Sequence, residues 1–243
     1  MKSTNSYRNL SRIYDSTISV FWDNYWGKIK QFINLNQKYD VLDLGCGTGN
    51  AIPYLKPYLK SYKGIDISRY MLNIAKKEYP EFEFKCNSIT NYKVTKQYDL
   101  IISAFDTINH LLSFKDWEDA FLLASNSLKE GGIFIFDATT PYDHKFNWPN
   151  YHNVVDKDDL FLSQRGEYSK EGVAKLFSTF FCRRGKRRWE RYEDVVEQIS
   201  FNSVKIRKML SEVNLNVVAE IDIYTGIEPQ RSSEVIVYVC SKS

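Results

Sequence analysis

The sequence lacks most features of secreted, membrane-bound or metal-binding proteins. Its four cysteines are scattered without a C-x-x-C pair, so neither a zinc site nor a disulfide framework is indicated. No apolar run approaches the roughly 20 residues of a membrane-spanning helix, and no hydrophobic signal segment is visible. The net charge of +3 is too small to indicate a nucleic-acid surface by itself. We therefore expect a reduced, cytoplasmic enzyme without a metal site.

Aromatic residues, by contrast, are plentiful. They make up 15% of the 243 residues, which argues against disorder and favours a chain with one substantial core. Apolar strand-like segments alternate with segments at helical spacing, which predicts an α/β fold with a doubly wound, mostly parallel sheet. The last strand follows its predecessor with no helix between them, so it should run antiparallel. We expect seven strands in this sheet.

The chain is predicted to form one domain, residues 1–243, with three parts. A helical lid over residues 1–38 comes first, and its helix is expected to span residues 7–34. The sheet core follows, and an antiparallel insertion of three strands interrupts it after the fifth strand. Ligands of such sheets bind at the carboxyl ends of the strands, so we expect the insertion to cover that edge as a lid. The core comprises residues 39–150 and 202–243, and the insertion residues 151–201.

Two turns of the core carry local signals. Ser68 is a suitable N-cap for the helix that contains Met71. Gly131 and Gly132 follow a helix predicted over residues 117–128, and glycine is common just past helix ends. We therefore expect this glycine pair to terminate that helix before the fifth strand begins.

A glycine-rich segment, residues 41–50, is the most informative part of the chain. An apolar run contains Asp43 and leads into Gly45, Gly47 and Gly49 at alternate positions. Glycines allow a ligand to approach the backbone closely. Their spacing is G-x-G-x-G, not the G-x-G-x-x-G of dinucleotide sites, and Asp43 would repel a pyrophosphate. The pattern predicts a nucleoside ligand with a cationic or zwitterionic tail.

This segment resembles the first motif of the class I S-adenosylmethionine-dependent methyltransferases at every position. The resemblance extends from about residue 41 to the C-terminus, and the insertion resembles that of the small-molecule group, which includes amino-sugar N-methyltransferases. It implies a Rossmann-like enzyme with S-adenosyl-L-methionine as cofactor and no metal. Asp66, at the end of the second strand, would accept hydrogen bonds from the ribose hydroxyls.

The resemblance also implies the other cofactor contacts. Ile67 and Met71 would sandwich the adenine, although Met71 could equally fill the core. Ser88 stands where the family usually has an aspartate for the adenine amino group, so this contact is expected to be weaker. Tyr14 and Tyr25 resemble lid tyrosines, with plain helix packing as the alternative. The predicted cofactor-binding residues are Tyr14, Tyr25, Asp43, Gly45, Cys46, Gly47, Asp66, Ile67, Met71, Ser88, Ile89, Ala104 and Phe105.

Polar residues after the fourth and fifth strands are candidates for the acceptor side. Residues 103–110 lack the Asn/Asp-Pro-Pro-aromatic quartet of family members that methylate base or glutamine amino groups, which weighs against such acceptors. An amine acceptor need only arrive neutral, whereas a hydroxyl would need a base such as His110 or His144. A capping or surface role is the alternative for His110. The predicted catalytic residues are Asp106, His110 and His144, and the predicted acceptor contacts are Asn109, Asp137 and Tyr142.

A basic segment raises the main alternative. Six basic residues between Arg183 and Arg191 surround a predicted hairpin turn, and basic clusters with aromatic neighbours bind nucleic acid. Acidic neighbours such as Glu190 dilute the charge, so a solvated tip or a clamp for an anionic small substrate is preferred. We expect a small-molecule acceptor, preferably an amine. An RNA methyltransferase and a catalytically silent cofactor-binding module are the alternatives, and the oligomeric state is left open.

Overall fold

A computed structural model describes residues 7–242, without the side chains of residues 18–21. Residues 1–6 and 243, which we assigned to the lid and the core, lie outside the described residues. The strands are β1 (Tyr39–Leu44), β2 (Leu59–Asp66), β3 (Glu83–Cys86), β4 (Tyr98–Ser103), β5 (Leu128–Thr139), β6 (His152–Lys157), β7 (Leu160–Tyr168), β8 (Ala174–Arg184), β9 (Arg188–Gln198), β10 (Leu215–Asp222) and β11 (Val235–Lys242). The helices are α1 (Tyr14–Ile29), α2 (Ile52–Leu55), α3 (Arg69–Glu78), α4 (Phe114–Ser127) and α5 (Ser203–Glu212).

Seven strands form one sheet in the order β10-β11-β5-β4-β1-β2-β3. The neighbouring strands β5, β4, β1, β2 and β3 pair in parallel, and β11 runs antiparallel to both β5 and β10. The predicted fold class, with its antiparallel last strand, is therefore confirmed. The chain order reverses between β1 and β4, and the ligands of such sheets bind beyond the carboxyl ends of the strands at that point.

The sheet is sandwiched between two apolar layers. All six residues of β1 are buried, and alternate side chains of a strand face opposite sides. Leu42 accordingly belongs to a cluster with Trp117 and Phe136, and Val41 to a second cluster with Tyr62. A continuous apolar strand is thus the sequence signature of a strand covered on both faces.

The junction of α4 and β5 differs from the prediction. The helix ends at Ser127, and the N–H of Leu128 closes its last turn while already beginning β5. Gly131 and Gly132 lie inside this strand, so their assignment as a helix end is wrong. Between Leu128 and Ile133 the strand carries extra residues relative to β4, and Gly131 has a φ of +70°. The glycines serve a β-bulge, where a left-handed residue is common.

The insertion is a separate four-stranded antiparallel sheet in the order β6-β7-β8-β9. We expected three strands and missed β6, whose residues are mostly exposed and carry no clear apolar alternation. The N-terminal segment is also broken up relative to the single helix expected. A 3₁₀ turn (Leu10–Arg12) precedes α1, and another (Lys30–Phe32) follows it. By contrast, Ser68 is the N-cap of α3, because its Oγ accepts the N–H of Met71 at 3.4 Å.

The N-terminal segment and the insertion share a small core of their own. Leu10 and Ile13 pack with buried residues of β7, β8 and β9, among them Leu162 and Phe180. One carboxylate oxygen of Asp194 accepts the N–H groups of Asn9 and Leu10, at 3.1 and 2.7 Å. We call residues 7–29 together with β6–β9 the cover, since the two parts are joined by this core.

The helices within residues 7–242 are all too short or too polar to span a lipid bilayer.

Candidate active site

The glycine loop after β1 leaves open space on one side. Gly45 and Gly47 have φ values of +77° and +54°, in the region that favours glycine. A Cβ at Gly45 would lie 2.3 Å from Cγ2 of Thr107, so Gly45 is needed for close packing. At Gly47 the nearest atom to such a Cβ is Cε1 of Tyr14, at 4.0 Å. The space between Gly47 and Tyr14 is therefore where a ligand fits against the backbone.

Two acidic side chains flank this space. Asp66, at the end of β2, accepts the N–H groups of Gly47 and Ser68 at 2.9 and 2.7 Å. Asp43 is almost wholly buried and accepts the hydroxyl of Tyr62 at 2.7 Å. Burial raises the pKa of Asp43 to about 7, against the opposing Tyr62 bond and with the help of the Asp66 charge. Burial also raises the pKa of Asp66. The site thus suits a ribose and a cationic group and disfavours phosphate.

The start of α1 is fastened to the glycine loop. The carboxylate of Asp15 accepts hydrogen bonds from the Thr48 hydroxyl at 2.6 Å and the Asn50 amide at 2.9 Å. These bonds hold Tyr14 above Gly47. Tyr14 is thus held over the glycine loop, and its contact with the cofactor stays a prediction.

Further along, α1 meets the loop after β4. The Tyr25 hydroxyl donates to Oδ1 of Asp137 at 3.1 Å, and the ring of Tyr25 stacks on Phe105 with centroids 5.2 Å apart. Ala104 is buried beside them, and Trp22 packs against Phe105 from the same helix. Tyr25 and Phe105 therefore close the edge of the site by packing on each other.

The residues predicted for adenine lie at the ends of β2 and β3. Ile67 is about one third exposed, and Met71 and Ile89 are buried. The hydroxyl of Ser88 interacts with that of Thr90 at 2.8 Å and accepts the Thr90 N–H. The Ser88 hydroxyl is therefore already engaged by Thr90. A hydrogen bond from an adenine amino group to Ser88 should be weaker than one to an aspartate.

Cys46 does not present a polar group to the cofactor. Its thiol is buried in the core beside Gly64. Its N–H donates to the Ile65 carbonyl at 3.0 Å, and its carbonyl accepts the Gly49 N–H at 2.9 Å. Its predicted place among the cofactor-binding residues is corrected, because these contacts shape the loop from within.

The loop after β4 has an unusual backbone. Phe105 and Asp106 have φ values of +55° and +51°, and non-glycine residues pay about 1–2 kcal/mol each for that region. Oδ2 of Asp137 accepts the Asp106 N–H at 2.8 Å and holds this conformation. Both oxygens of Asp137 are thus occupied by the protein. Asp137 therefore fixes the loop and the lid helix together, and its predicted acceptor contact stays a prediction.

Asp106 and Asp137 form a pair of adjacent carboxyl groups. Burial raises the pKa of each to about 7, and the neighbouring Asp143 and Asp106 charges add to the respective shifts. Among the ion pairs of the described residues, none involves either carboxylate. Nor does any cluster of His, Cys, Asp and Glu within residues 7–242 suit a metal ion. The two carboxyl groups therefore give this side of the site acidic groups that are not neutralised by an ion pair within residues 7–242.

Gln198, the last residue of β9, connects the polar residues of this region. Its amide oxygen accepts a hydrogen bond from Nε2 of His144 at 3.0 Å, and its amide nitrogen donates to Oδ2 of Asp106 and contacts Nε2 of His110 at 3.4 Å. The Tyr7 hydroxyl lies within hydrogen-bond distance of the same His110 nitrogen, at 3.1 Å. Neither Gln198 nor Tyr7 was predicted, because each joins the site from a distant segment and no local pattern marks them.

The two histidines differ in what they can do. His144 is fully buried, and its ring nitrogens contact Gln198 and Ser200 at 3.0 Å each. The predicted catalytic role of His144 is corrected, because it has no nitrogen free for a substrate. Burial lowers the pKa of both His144 and His110 to about 4. His110, which is partly exposed, is thus a neutral group that faces Tyr7.

Asn109 and Tyr142 lie away from the acceptor side. Asn109 is fully buried, and its amide donates to the carbonyls of Thr139 and Ile199 at 3.0 and 2.9 Å and accepts the Thr139 N–H. Tyr142 lines a different cleft of about 250 Å³ between the end of β5 and the start of α5. Their predicted acceptor contacts are corrected, because Asn109 ties the loop after β4 to the end of β5 and to the residue that follows β9, and Tyr142 faces another surface.

Known proteins share both this sequence pattern and this fold. Residues 41–132 match the family model described as a methyltransferase domain. The crystal structure of a S-adenosylmethionine-dependent methyltransferase from Clostridium acetobutylicum has a TM-score of 0.86 to this chain at 27% identity, covering 98% of this chain and 99% of that one. The chain belongs to the S-adenosylmethionine-dependent methyltransferases. Its cofactor is S-adenosylmethionine, and the open cradle at Gly47 with Asp66 beside it fits that molecule.

Two further proteins are similar to this methyltransferase. A Geobacillus sp. protein assigned to the methyltransferases is 26% identical over 257 residues, which cover 98% of this chain and all of that protein. An amino pentose methyltransferase from Micromonospora echinaspora, solved with S-adenosylmethionine bound, has a TM-score of 0.64 at 14% identity, covering 84% of this chain and 83% of that one. The second likeness is one of fold.

Proposed function

We propose that this methyltransferase methylates the nitrogen of a small-molecule amine. The observation that carries the proposal is the pair Asp106 and Asp137, two adjacent carboxyl groups that pair with no cation of the described residues. A cleft lined by charge of one sign concentrates ligands of the opposite sign. An amine is protonated in water near neutral pH and would be drawn to this site, whereas a neutral hydroxyl compound would not.

The protonation chemistry of Asp106 supports an amine as well. A proton acceptor works best when its pKa lies near the working pH, and burial raises the pKa of Asp106 to about 7. Asp106 would take one N–H proton from the bound ammonium ion, which leaves the nitrogen lone pair free to attack. S-adenosylmethionine supplies the methyl group, and the electron pair of the broken carbon–sulfur bond stays on sulfur. The cover holds the two reactants together and excludes water.

The structure gives no support to the RNA alternative. Within the hairpin, Arg184 and Arg188 pair with Glu190, and Arg183 lies over the Trp189 ring with its guanidinium carbon 5.1 Å from the centroid. The turn is also remote, because Gln198 follows Arg188 by ten residues (198 − 188). An extended strand of that length spans about 30 Å. A small acceptor at Asp106 would not reach the basic turn.

Proteins of similar fold guide the choice of compounds for the first test. The Micromonospora protein is described as an amino pentose methyltransferase and is similar to this chain in fold, at 14% identity. We take amino sugars, free or nucleotide-linked, as the first compounds to test. Simple polyamines and amino acids complete the amine series.

The test is a turnover screen with isotope-labelled S-adenosylmethionine. Each amine is paired with the compound that has a hydroxyl in place of the amino group, and a mixed RNA sample is included. We expect label transfer to at least one amine and none to its hydroxyl partner. Transfer only to hydroxyl compounds or to RNA would contradict the proposal. Tight cofactor binding with no transfer to any class would instead favour the silent module.

A variant sharpens this screen. Asp106→Asn keeps the shape of the side chain but removes its charge and its capacity to hold a proton. It should bind S-adenosylhomocysteine normally and lose most of its turnover with the amine, by about 10²–10⁴-fold if proton transfer is the function that is lost. Asp23→Asn is the matched control, because Asp23 is an exposed aspartate that accepts the Tyr54 hydroxyl at 2.7 Å. Unchanged turnover in Asp106→Asn would show that the amine loses its proton elsewhere.

A further inference from the structure

Gln198 lies at the meeting point of the cover and the core. It ends β9 and is almost completely buried, with 2% of its surface exposed. Its amide bonds to Asp106 and His110, which belong to the loop after β4, and to His144, which follows β5. The adjacent backbone is fixed too, because Ile199 N–H donates to the Asn109 carbonyl at 3.0 Å. The insertion thus reaches the acceptor side through one side chain.

The orientation of this amide decides which nitrogen of each histidine carries the proton. The Asp106 carboxylate only accepts hydrogen bonds when ionised, so the NH₂ group of Gln198 must face it. The amide oxygen then faces His144, whose Nε2 must carry a hydrogen. The NH₂ group also faces His110, whose Nε2 must then hold a lone pair, and the Tyr7 hydroxyl beside that nitrogen is assigned as a donor on the same ground. Burial disfavours a second proton on either ring.

We propose that Gln198 is the positioning residue of the acceptor site, which orients Asp106 for the ammonium ion and keeps the Nε2 lone pair of His110 turned towards Tyr7. The inference rests on the proposed amine methylation. Oδ2 of Asp106 is occupied by Gln198, and Oδ1 has no partner among residues 7–242. No buried side-chain polar atom of those residues lacks a partner, so Oδ1 faces open space. Gln198 therefore leaves one oxygen of Asp106 for the acceptor.

This arrangement links acceptor chemistry to closure of the cover. When β9 is in place, Gln198 supplies a donor to Asp106 and lowers its proton affinity against the effect of burial. Without β9, Asp106 and His110 would lose this donor together. We expect Asp106 to be oriented for proton transfer only while Gln198 is packed against the core.

The first experiment needs no acceptor. The chain has three histidines, so their side-chain ¹⁵N resonances can be assigned directly. In the unmodified protein we expect His144 with its proton on Nε2, His110 with its proton on Nδ1, and the exposed His152 as a mixture. Gln198→Met, which is similar in shape but cannot make these bonds, should return His144 and His110 towards mixtures of tautomers. Gln164→Met is the matched control, because Gln164 bonds to Ser178 and Asn153 within the insertion.

If both tautomers persist unchanged in folded Gln198→Met, the positioning role is wrong, whatever the acceptor proves to be. Failure of the amine screen with the predicted tautomer change would instead overturn the proposed function alone. Should Gln198→Met not fold, Gln198→Glu replaces it, since its size and shape are unchanged. Its carboxylate still accepts from Nε2 of His144 but offers no donor to Nε2 of His110, so only His110 should leave its Nδ1 tautomer, and an unchanged His110 would overturn the positioning role.

The second experiment uses the acceptor found in the screen. Gln198→Glu places a second carboxylate against Asp106, which should raise the pKa of Asp106 and move the acidic limb of the kcat/KM profile up by about one pH unit. Gln198→Met should lower kcat about 10–100-fold with unchanged S-adenosylhomocysteine affinity, because an unoriented proton acceptor costs rate. A loss of activity without any shift in the pH profile of Gln198→Glu would mean that Gln198 acts only as a packing residue.

Discussion

The Tyr25 hydroxyl donates to the Asp137 carboxylate across 3.1 Å and joins the N-terminal helix to the end of the fifth strand. The other oxygen of Asp137 holds the N–H of Asp106 at 2.8 Å. One side chain thus fixes both the helix that covers the cofactor and the loop that carries the proposed proton acceptor. Removing Tyr25 should therefore disturb both reactants, although it lies outside the glycine loop.

The cradle at Gly47 can be tested by filling it. Gly47→Val should abolish binding of S-adenosylhomocysteine, because the side chain would enter the space between the loop and Tyr14. Both this variant and the control Gly131→Val place a side chain at a left-handed residue, at a cost of about 1–2 kcal/mol in stability. Calorimetry measures the loss of ligand affinity, and thermal unfolding measures the loss of stability. Normal affinity in a folded Gly47→Val protein would place the cofactor elsewhere.

Asp66 and Ser88, the two predicted hydrogen-bond acceptors for the nucleoside, should contribute unequally to cofactor binding. Asp66→Ala should weaken S-adenosylhomocysteine binding by about 1.5–3 kcal/mol, the range for hydrogen bonds to a charged group. Ser88→Asp restores the residue usual in the family and should tighten binding or leave it unchanged. Isothermal titration measures both. Loss of binding in Ser88→Asp would show that the adenine does not lie against the end of β3.

The preference of the site for S-adenosylmethionine over S-adenosylhomocysteine should depend on pH. Burial raises the pKa values of Asp43, Asp106 and Asp137 to about 7, so these groups are largely neutral at pH 6 and ionised at pH 8. S-adenosylmethionine carries a sulfonium charge that S-adenosylhomocysteine lacks. Its preference over the product should therefore grow about tenfold as the pH rises from 6 to 8. Titrations of both ligands at each pH check this, and a constant ratio would place the sulfonium away from these carboxylates.

The basic hairpin turn should be dispensable. Replacing residues 183–188 with a short Gly-Ser turn should leave S-adenosylhomocysteine affinity, kcat and the acceptor KM within about twofold, because the turn lies about 30 Å along the strand from Gln198. Steady-state kinetics measure the change. A higher KM with unchanged kcat would reveal a contact with the acceptor, the pattern of lost uniform binding. Collapse of cofactor affinity would contradict the position of the cover.

Local patterns predicted the parts of the site that one segment builds. The loop from Asp43 to Gly49 and the carboxylate at Asp66 follow from strand, glycine spacing and turn alone. Tyr7 and Gln198 could not be predicted this way, because they meet His110 across 103 and 88 residues. The same limit explains Asn109 and His144, which lie after the expected strands but have their polar atoms committed to the protein. A position at the sheet edge predicts proximity, and only the packing decides which atoms remain free.

Leu10 and Ile13 pack against Leu162 and Phe180, so we expect any opening of the cover to move the helix above the cofactor and the sheet above the acceptor together. A single opening event then admits both reactants and releases both products. For an amine that takes more than one methyl group, the spent cofactor can leave only when the half-finished product is free to leave too. We therefore expect distributive methylation, with the monomethylated compound accumulating in solution before any dimethylated one appears.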